Sequence, residues 1–254
     1  MEPYTVYWQP GCTSCLKTRE FLNAHGIAFE SVNVRADAGA FERLARLGVR
    51  SVPVVARGEH YVLGQDLDEV ARFVGVKLER MRLETPVLVA RLLALLDVAT
   101  HFTERLPEAA LHTQLPGRER SYLDLAYHVP QIVIGLLDAA LGGRLTYEHF
   151  ERTPPGHIRT GADAAQLIRS VSHALAVWWA GNQSRLPAQV DTYYGRQPLQ
   201  GVLERTTWHV AQHTRQLERV LDTLGVTDRP TLPAALLEHL PLPVDAWDAE
   251  VPMA

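Results

Sequence analysis

Trp8-Gln9-Pro10-Gly11-Cys12-Thr13-Ser14-Cys15 is the stretch on which the reading of this chain turns. Cys12 and Cys15 are its only cysteines, so each can pair only with the other, with a small thiol or with a partner protein. Ahead of them, Thr5-Val6-Tyr7-Trp8 has the β-branched and aromatic character of a strand. Behind them, Ser14 to His25 reads as a helix, with Leu16, Phe21 and Leu22 apolar and Gly26 as its stop. Cys12 then stands at a helix N-terminus, where free amides and the dipole favour a thiolate. A Cys-x-x-Cys between strand and helix suits thiol–disulfide exchange. Half of a zinc site or two idle thiols is the alternative reading, but a zinc site lacks a second cysteine pair to complete it.

Outward from this motif, strand and helix signals keep alternating. Phe29 to Val34 has period two, Ala40 to Leu47 is a short helix, and Val52 to Ala56 is an apolar strand. Arg57 to His60 turns the chain into Tyr61-Val62-Leu63, and a helix from Asp66 to Val74 closes on Gly75. This β-α-β-α-β-β-α order is thioredoxin-like. On these residues the segment 1–76 resembles glutaredoxin: Cys12 matches the nucleophilic cysteine and Cys15 the resolving one. Ser51-Val52-Pro53 matches the Thr-Val-Pro element, whose proline is cis in that family. The resemblance implies a thiol-binding groove, with Val52 and Pro53 meeting the cysteinyl part of glutathione and Gln65 and Asp66 its γ-glutamyl end. Gln9 stands where many glutaredoxins carry lysine, which removes one charge that would acidify Cys12. Cys12 to Lys17 also resembles the arsenate-reductase branch, but the chain is too compact to hold the helices that branch inserts before its proline strand.

After Gly75 the period changes. Lys77 to Arg82 is a charged connector expected to be partly helical, within a linker over 77–85. Thr85-Pro86 reads as an N-cap followed by a proline at the first helical position. Four long helical patterns follow at about 86–105, 120–141, 162–182 and 198–224, parted by loops such as Leu115-Pro116-Gly117 and Thr153 to Gly156. The expected architecture is therefore multidomain, α/β followed by all-α: a four-helix bundle over 86–226 and a tail over 227–254 packed on it.

His209 and His213 are four residues apart, so both imidazoles share one helix face with Val202, Thr206, Leu217 and Val220. His128 lies in a similar stripe with Leu125, Ile132 and Leu136, and Pro130 just beyond it is expected to bend or open that helix. Three neutral imidazoles with open positions suit zinc, nickel or iron; paired core or surface histidines are the plainer alternative. Residues 86–224 resemble the DinB-like metal-binding bundle, through Arg118 to His128 and Trp208-His209-x-x-x-His213. That resemblance implies His128, His209 and His213 as metal ligands, and homodimers are common in the family. Arg205, one turn before His209, is a candidate to hold a substrate carboxylate, and Tyr193 and Tyr194 are candidates for the pocket mouth. His173, Trp178 and Trp179 are expected in the core or an interface.

Composition bounds the rest. The chain has 254 residues, 46% hydrophobic and 21% charged, with a net charge of −4. This is globular character without the basic excess that attracts nucleic acid. The N-terminus lacks the basic and apolar regions of a signal peptide, and the apolar run Pro86 to Thr100 is read as too short to span a bilayer. A cytoplasmic, membrane-free protein is expected. Several DinB-like proteins use small thiols, as thiol transferases or as a thiol-dependent maleylpyruvate isomerase. Joined to a glutaredoxin-like domain, such a bundle implies a metal- and glutathione-dependent transferase, lyase or isomerase acting on a small electrophile. A redox sensor with a structural metal site is the alternative. A third possibility is oxygen chemistry at a three-histidine iron, although the second domain type of the related sulfoxide synthases is absent.

Overall fold

The computed structural model describes residues 2–115 and 119–247 and divides into two compact units, 1–81 with 243–254 and 82–242. Pro116, Gly117 and Arg118, named above in the loop and in the DinB-like stretch, lie outside the described residues, as does the tail beyond Trp247.

In the first unit the order is β1 (Tyr4–Trp8), α1 (Thr13–Ala24), β2 (Phe29–Asn33), α2 (Ala40–Arg46), β3 (Val54–Arg57), β4 (His60–Leu63) and α3 (Leu67–Val74). The sheet runs β2-β1-β3-β4, with β1 parallel to β2 and antiparallel to β3. Successive side chains point to opposite faces of a strand, so each apolar strand feeds two cores. Tyr7, Val54 and Ala56 pack with Ala40 and Leu44 on one side. Val6 and Val55 meet Phe21, Leu22, Val70 and Val74 on the other. Asp66 caps α3 by accepting from the Asp68 amide, and Gly75 ends it in the left-handed conformation at φ 75°, which costs glycine no side-chain clash.

The connector differs from expectation: residues 76–84 carry no helix. Its alternating charges make local ion pairs instead, Arg80 with Asp68 at 3.3 Å and Lys77 with Glu79.

The second unit opens with α4 (Thr85–Glu104), whose N-cap is Glu84 rather than Thr85. At 20 residues α4 is long and apolar enough to cross a membrane, contrary to the shorter run read from sequence, but half of that window is buried inside the bundle. Then come α5 (Tyr122–Ala140), β5 (Arg144–Leu145), α6 (Glu148–Glu151), α7 (Gly161–Asn182), β6 (Gln189–Thr192), β7 (Gly195–Pro198) and α8 (Leu199–Thr223). Both α4 and α5 pack on α7 and on α8, so α5 and α8 are neighbours. Capping boxes start α5 and α7, Ser121 with Asp124 and Thr160 with Asp163. Helix α5 continues through Pro130 without a break.

A three-stranded sheet, β5-β6-β7, was not anticipated. Tyr193 and Tyr194 sit in the β6–β7 turn. Trp178 is buried as expected, whereas His173 is exposed.

The tail divides. Arg229 pairs with Glu218 at 3.0 Å and with Asp222, and the Leu232 amide donates to Glu218, which straps the chain to α8. From Pro243 the chain belongs with the first unit, where the amides of Val244 and Asp245 donate to the Glu20 carboxylate.

Candidate functional site

The first candidate centre is made of neighbours in sequence. Gly11 turns the chain after β1 with φ 78°, which brings Cys12 to the N-cap of α1. The Cys12 sulfur accepts from the Cys15 amide at 3.2 Å and is disulfide-bonded to Cys15. When the pair is reduced, that amide and the helix dipole stabilise a Cys12 thiolate. Cys12 is half-buried and Cys15 fully buried, so Cys12 is the sulfur an incoming disulfide reaches first.

The Val52–Pro53 peptide is cis, as the resemblance implied. Gly64 closes on Pro53, its amide donating to the Pro53 carbonyl at 2.9 Å while Thr18 Oγ1 donates to the Gly64 carbonyl at 3.0 Å. A Cβ at Gly64 would lie 2.7 Å from Pro53 Cγ and from Thr18 Oγ1, so only glycine fits. The residues expected to hold a thiol are engaged internally. Gln65 is buried and its Nε2 donates to the Val52 carbonyl at 3.2 Å, and one Asp66 oxygen caps α3.

The second centre is assembled across the bundle. His128 on α5 and His209 and His213 on α8 are 4%, 7% and 1% exposed, and one ligand atom from each lies within 4.8 Å of the other two. The His128 ring centroid is 5.6 Å from that of His209 and 4.8 Å from that of His213. Nδ1 of His128 is buried without a hydrogen-bond partner, which is costly unless something occupies it. Burial, the Arg120 charge, the other two imidazoles and Arg205 together push the His128 pKa well below its ordinary value, so the ring is neutral and holds a free lone pair. Nδ1 of His213 lies 2.7 Å from Gln216 Oε1. An amide oxygen only accepts, so Nδ1 of His213 is the donor in that hydrogen bond. Three buried imidazoles, with an orphaned ring nitrogen on His128, fit a divalent cation of the zinc type.

Around the triad, Phe150 of α6 stands 5.5 Å from His209 and 6.0 Å from His128 between ring centroids. Arg205, expected near the ligands, is 6% exposed and donates to the Tyr193 hydroxyl at 3.1 Å. Its guanidinium lies 5.3 to 5.9 Å from the ring centroids of Phe150, Tyr193 and Tyr194. Glu218, one of the acids on the same helix, is held by Arg229. Sequence reasoning missed Phe150, Gln216 and the His149–Asp138 pair. Nε2 of His149 meets Asp138 at 2.8 Å while its Nδ1 accepts from the Thr146 amide, which ties the Phe150 helix to α5. Only Gln216 carried a sequence signal, three residues after a candidate ligand on the same face.

The glutaredoxin family model matches residues 4–62. Gene 56 protein of Mycobacterium phage L5 is 36% identical over 74 residues, 28% of this chain and 72% of that protein. The glutaredoxin-like protein NrdH of Lactococcus lactis is 28% identical over 68 residues, 27% of this chain and 94% of that protein. Among solved structures, a DinB-like protein from Bacillus subtilis aligns over 57% of this chain and 95% of its own length, with a TM-score of 0.45 at 15% identity.

Proposed function

Since this chain belongs, through its first domain, to the glutaredoxin family, we propose that it pairs thiol–disulfide exchange with a metal- and thiol-dependent step on a small electrophile, of transferase, lyase or isomerase type. The observation that carries this reading is the convergence of three buried imidazoles in the same chain as a Cys-x-x-Cys.

In the bundle, His128, His209 and His213 would hold zinc, nickel or iron. Bound there, the cation would supply Lewis acidity and keep a coordinated glutathione-type thiol as thiolate. Gln216 fixes the His213 tautomer, and Phe150 shields the imidazoles from water. In the first domain, the Cys12 thiolate attacks the sulfur of a glutathione-type mixed disulfide and expels the other sulfur as thiolate. The Cys15 thiolate then attacks Cys12 Sγ, releases the small thiol and leaves the Cys12–Cys15 disulfide. Two electrons from an external dithiol or from two small thiols restore the pair. Val52, Pro53, Gln65 and Asp66 frame the thiol groove in this reading. A cytoplasmic location and a homodimer belong to it as well.

A second reading treats the protein as a dithiol reductase or redox sensor whose metal is structural. It is favoured by the internal hydrogen bond from Gln65 to the Val52 carbonyl, which occupies part of the surface that glutathione would use.

Metal analysis beside thiol-dependent turnover separates the two. One equivalent of metal, lost in His128→Ala, together with thiol-dependent conversion of small electrophiles supports the first. Chelation that melts the bundle, with disulfide reduction intact and no small-molecule turnover, supports the second.

A further inference from the structure

Arg205 carries a charge that the described structure leaves without an acid. It is almost fully buried, its Nε has no hydrogen-bond partner, and among the described residues its one hydrogen bond goes to a neutral phenol. Three aromatic rings surround the guanidinium. Such a cage stabilises the cation through its π faces but does not satisfy its N–H donors. Burying a guanidinium without an anion is expensive, so a folded protein that keeps one there has an anion to bring to it.

The position says what the anion is near. Arg205 precedes His209 by one helical turn on the same face of α8, and its charge acts on His128. The three imidazoles contribute no negative charge. A divalent cation held by them would add to the charges of Arg120 and Arg205, both of which act on His128, and the site would then favour an anionic ligand.

We propose that Arg205 and Tyr193 form a carboxylate-binding subsite beside the histidine triad, so that the reacting partner of this centre is a carboxylic acid anion. This deepens, and rests on, the metal- and thiol-dependent reading above. The fork of a guanidinium matches the two oxygens of a carboxylate. The Tyr193 oxygen already accepts from Arg205 Nη2, so its own O–H is free to donate to the same anion. The carboxylate has two sources, the small electrophile or the glutathione-type thiol.

The test is calorimetric titration of the full-length protein, zinc-loaded and metal-free, with propionate and with its neutral isostere propionamide. Propionate should bind at least about tenfold more tightly, the scale of a charged hydrogen bond. Arg205→Gln should lose that preference while still taking up one equivalent of zinc, and Arg205→Lys should recover part of it. If Arg205→Gln fails to fold, Tyr193→Phe, which keeps the ring, should weaken propionate several-fold. Glutathione against its diethyl ester separates the sources: loss of binding on esterification assigns the carboxylate to the thiol, equal binding assigns it to the electrophile. Equal affinity for propionate and propionamide, no propionate binding by the wild type, or unchanged propionate affinity in Arg205→Gln would overturn the subsite. A wild type that binds propionate through Arg205 but takes up no zinc would leave the subsite standing and remove the metal reading.

Discussion

The two candidate centres are built on opposite principles. Cys12 and Cys15 face one another because they occupy the same turn at the start of α1. The imidazoles of His128 and His209 meet only because α5 and α8 pack side by side. One site is a property of a dozen consecutive residues, whereas the other exists only when a whole bundle is folded. Damage should therefore spread differently from the two.

The largest expected effect is local. Cys12→Ser removes the attacking sulfur, so disulfide reduction should fall to background in a standard insulin-reduction assay. Zinc content should stay at its wild-type value, and multiple turnover by the variant with thiol substrates would break the proposed coupling. Next, alanine in place of His128, His209 or His213 should each release about one equivalent of metal while leaving disulfide reduction untouched. Metal retained by any one of the three would remove that residue from the site. Gln216→Leu tests the layer behind the three imidazoles. Losing the partner that orients His213 should weaken metal affinity by about 10- to 100-fold, readable by chelator competition, with little change in the helical circular dichroism signal.

A packing substitution sharpens the contrast on the stability side. At Gly64 an alanine Cβ would press on Pro53 and Thr18, and such overpacking costs about 1–3 kcal/mol. The denaturation midpoint of the first unit should fall and that of the bundle should not. The smallest effect is a pH dependence at the start of α7. The amide of Arg159 and the Thr160 side chain and amide hold the Asp163 carboxyl below its ordinary value of 3.8. A depressed folded value means the contribution is present above the unfolded value and is lost as pH falls through the folded one. Asp163→Asn should therefore flatten the acid limb of the bundle's stability profile, and an unchanged limb would show the cap to be idle.

Legibility followed the same division. The strands and helices of the first unit announced themselves by period and by punctuating glycines, and Gly75 ends α3 where the sequence pattern stopped. The four long helices were legible because each carries an apolar stripe. The connector was misread because Lys77 to Arg82 has helix-forming residues without an apolar face to dock, and propensity alone does not hold a short helix in water. The β5-β6-β7 sheet was invisible for the opposite reason. Two- and four-residue strands are too short to show a period, and β5 exists only because Leu145 pairs with Thr192 far along the chain.

Sequence alone decided the order of elements in the first unit, the placement of Cys12 at a helix start and the face shared by His209 and His213, because each depends on residues within a turn or two. Tertiary structure alone decided that His128 closes the triad, that Gln216 orients it, and that Arg205 is buried in an aromatic cage rather than paired at the surface. Those facts hang on which helix lies beside which. That choice is made by the burial of apolar stripes over the whole bundle, and no local pattern encodes it.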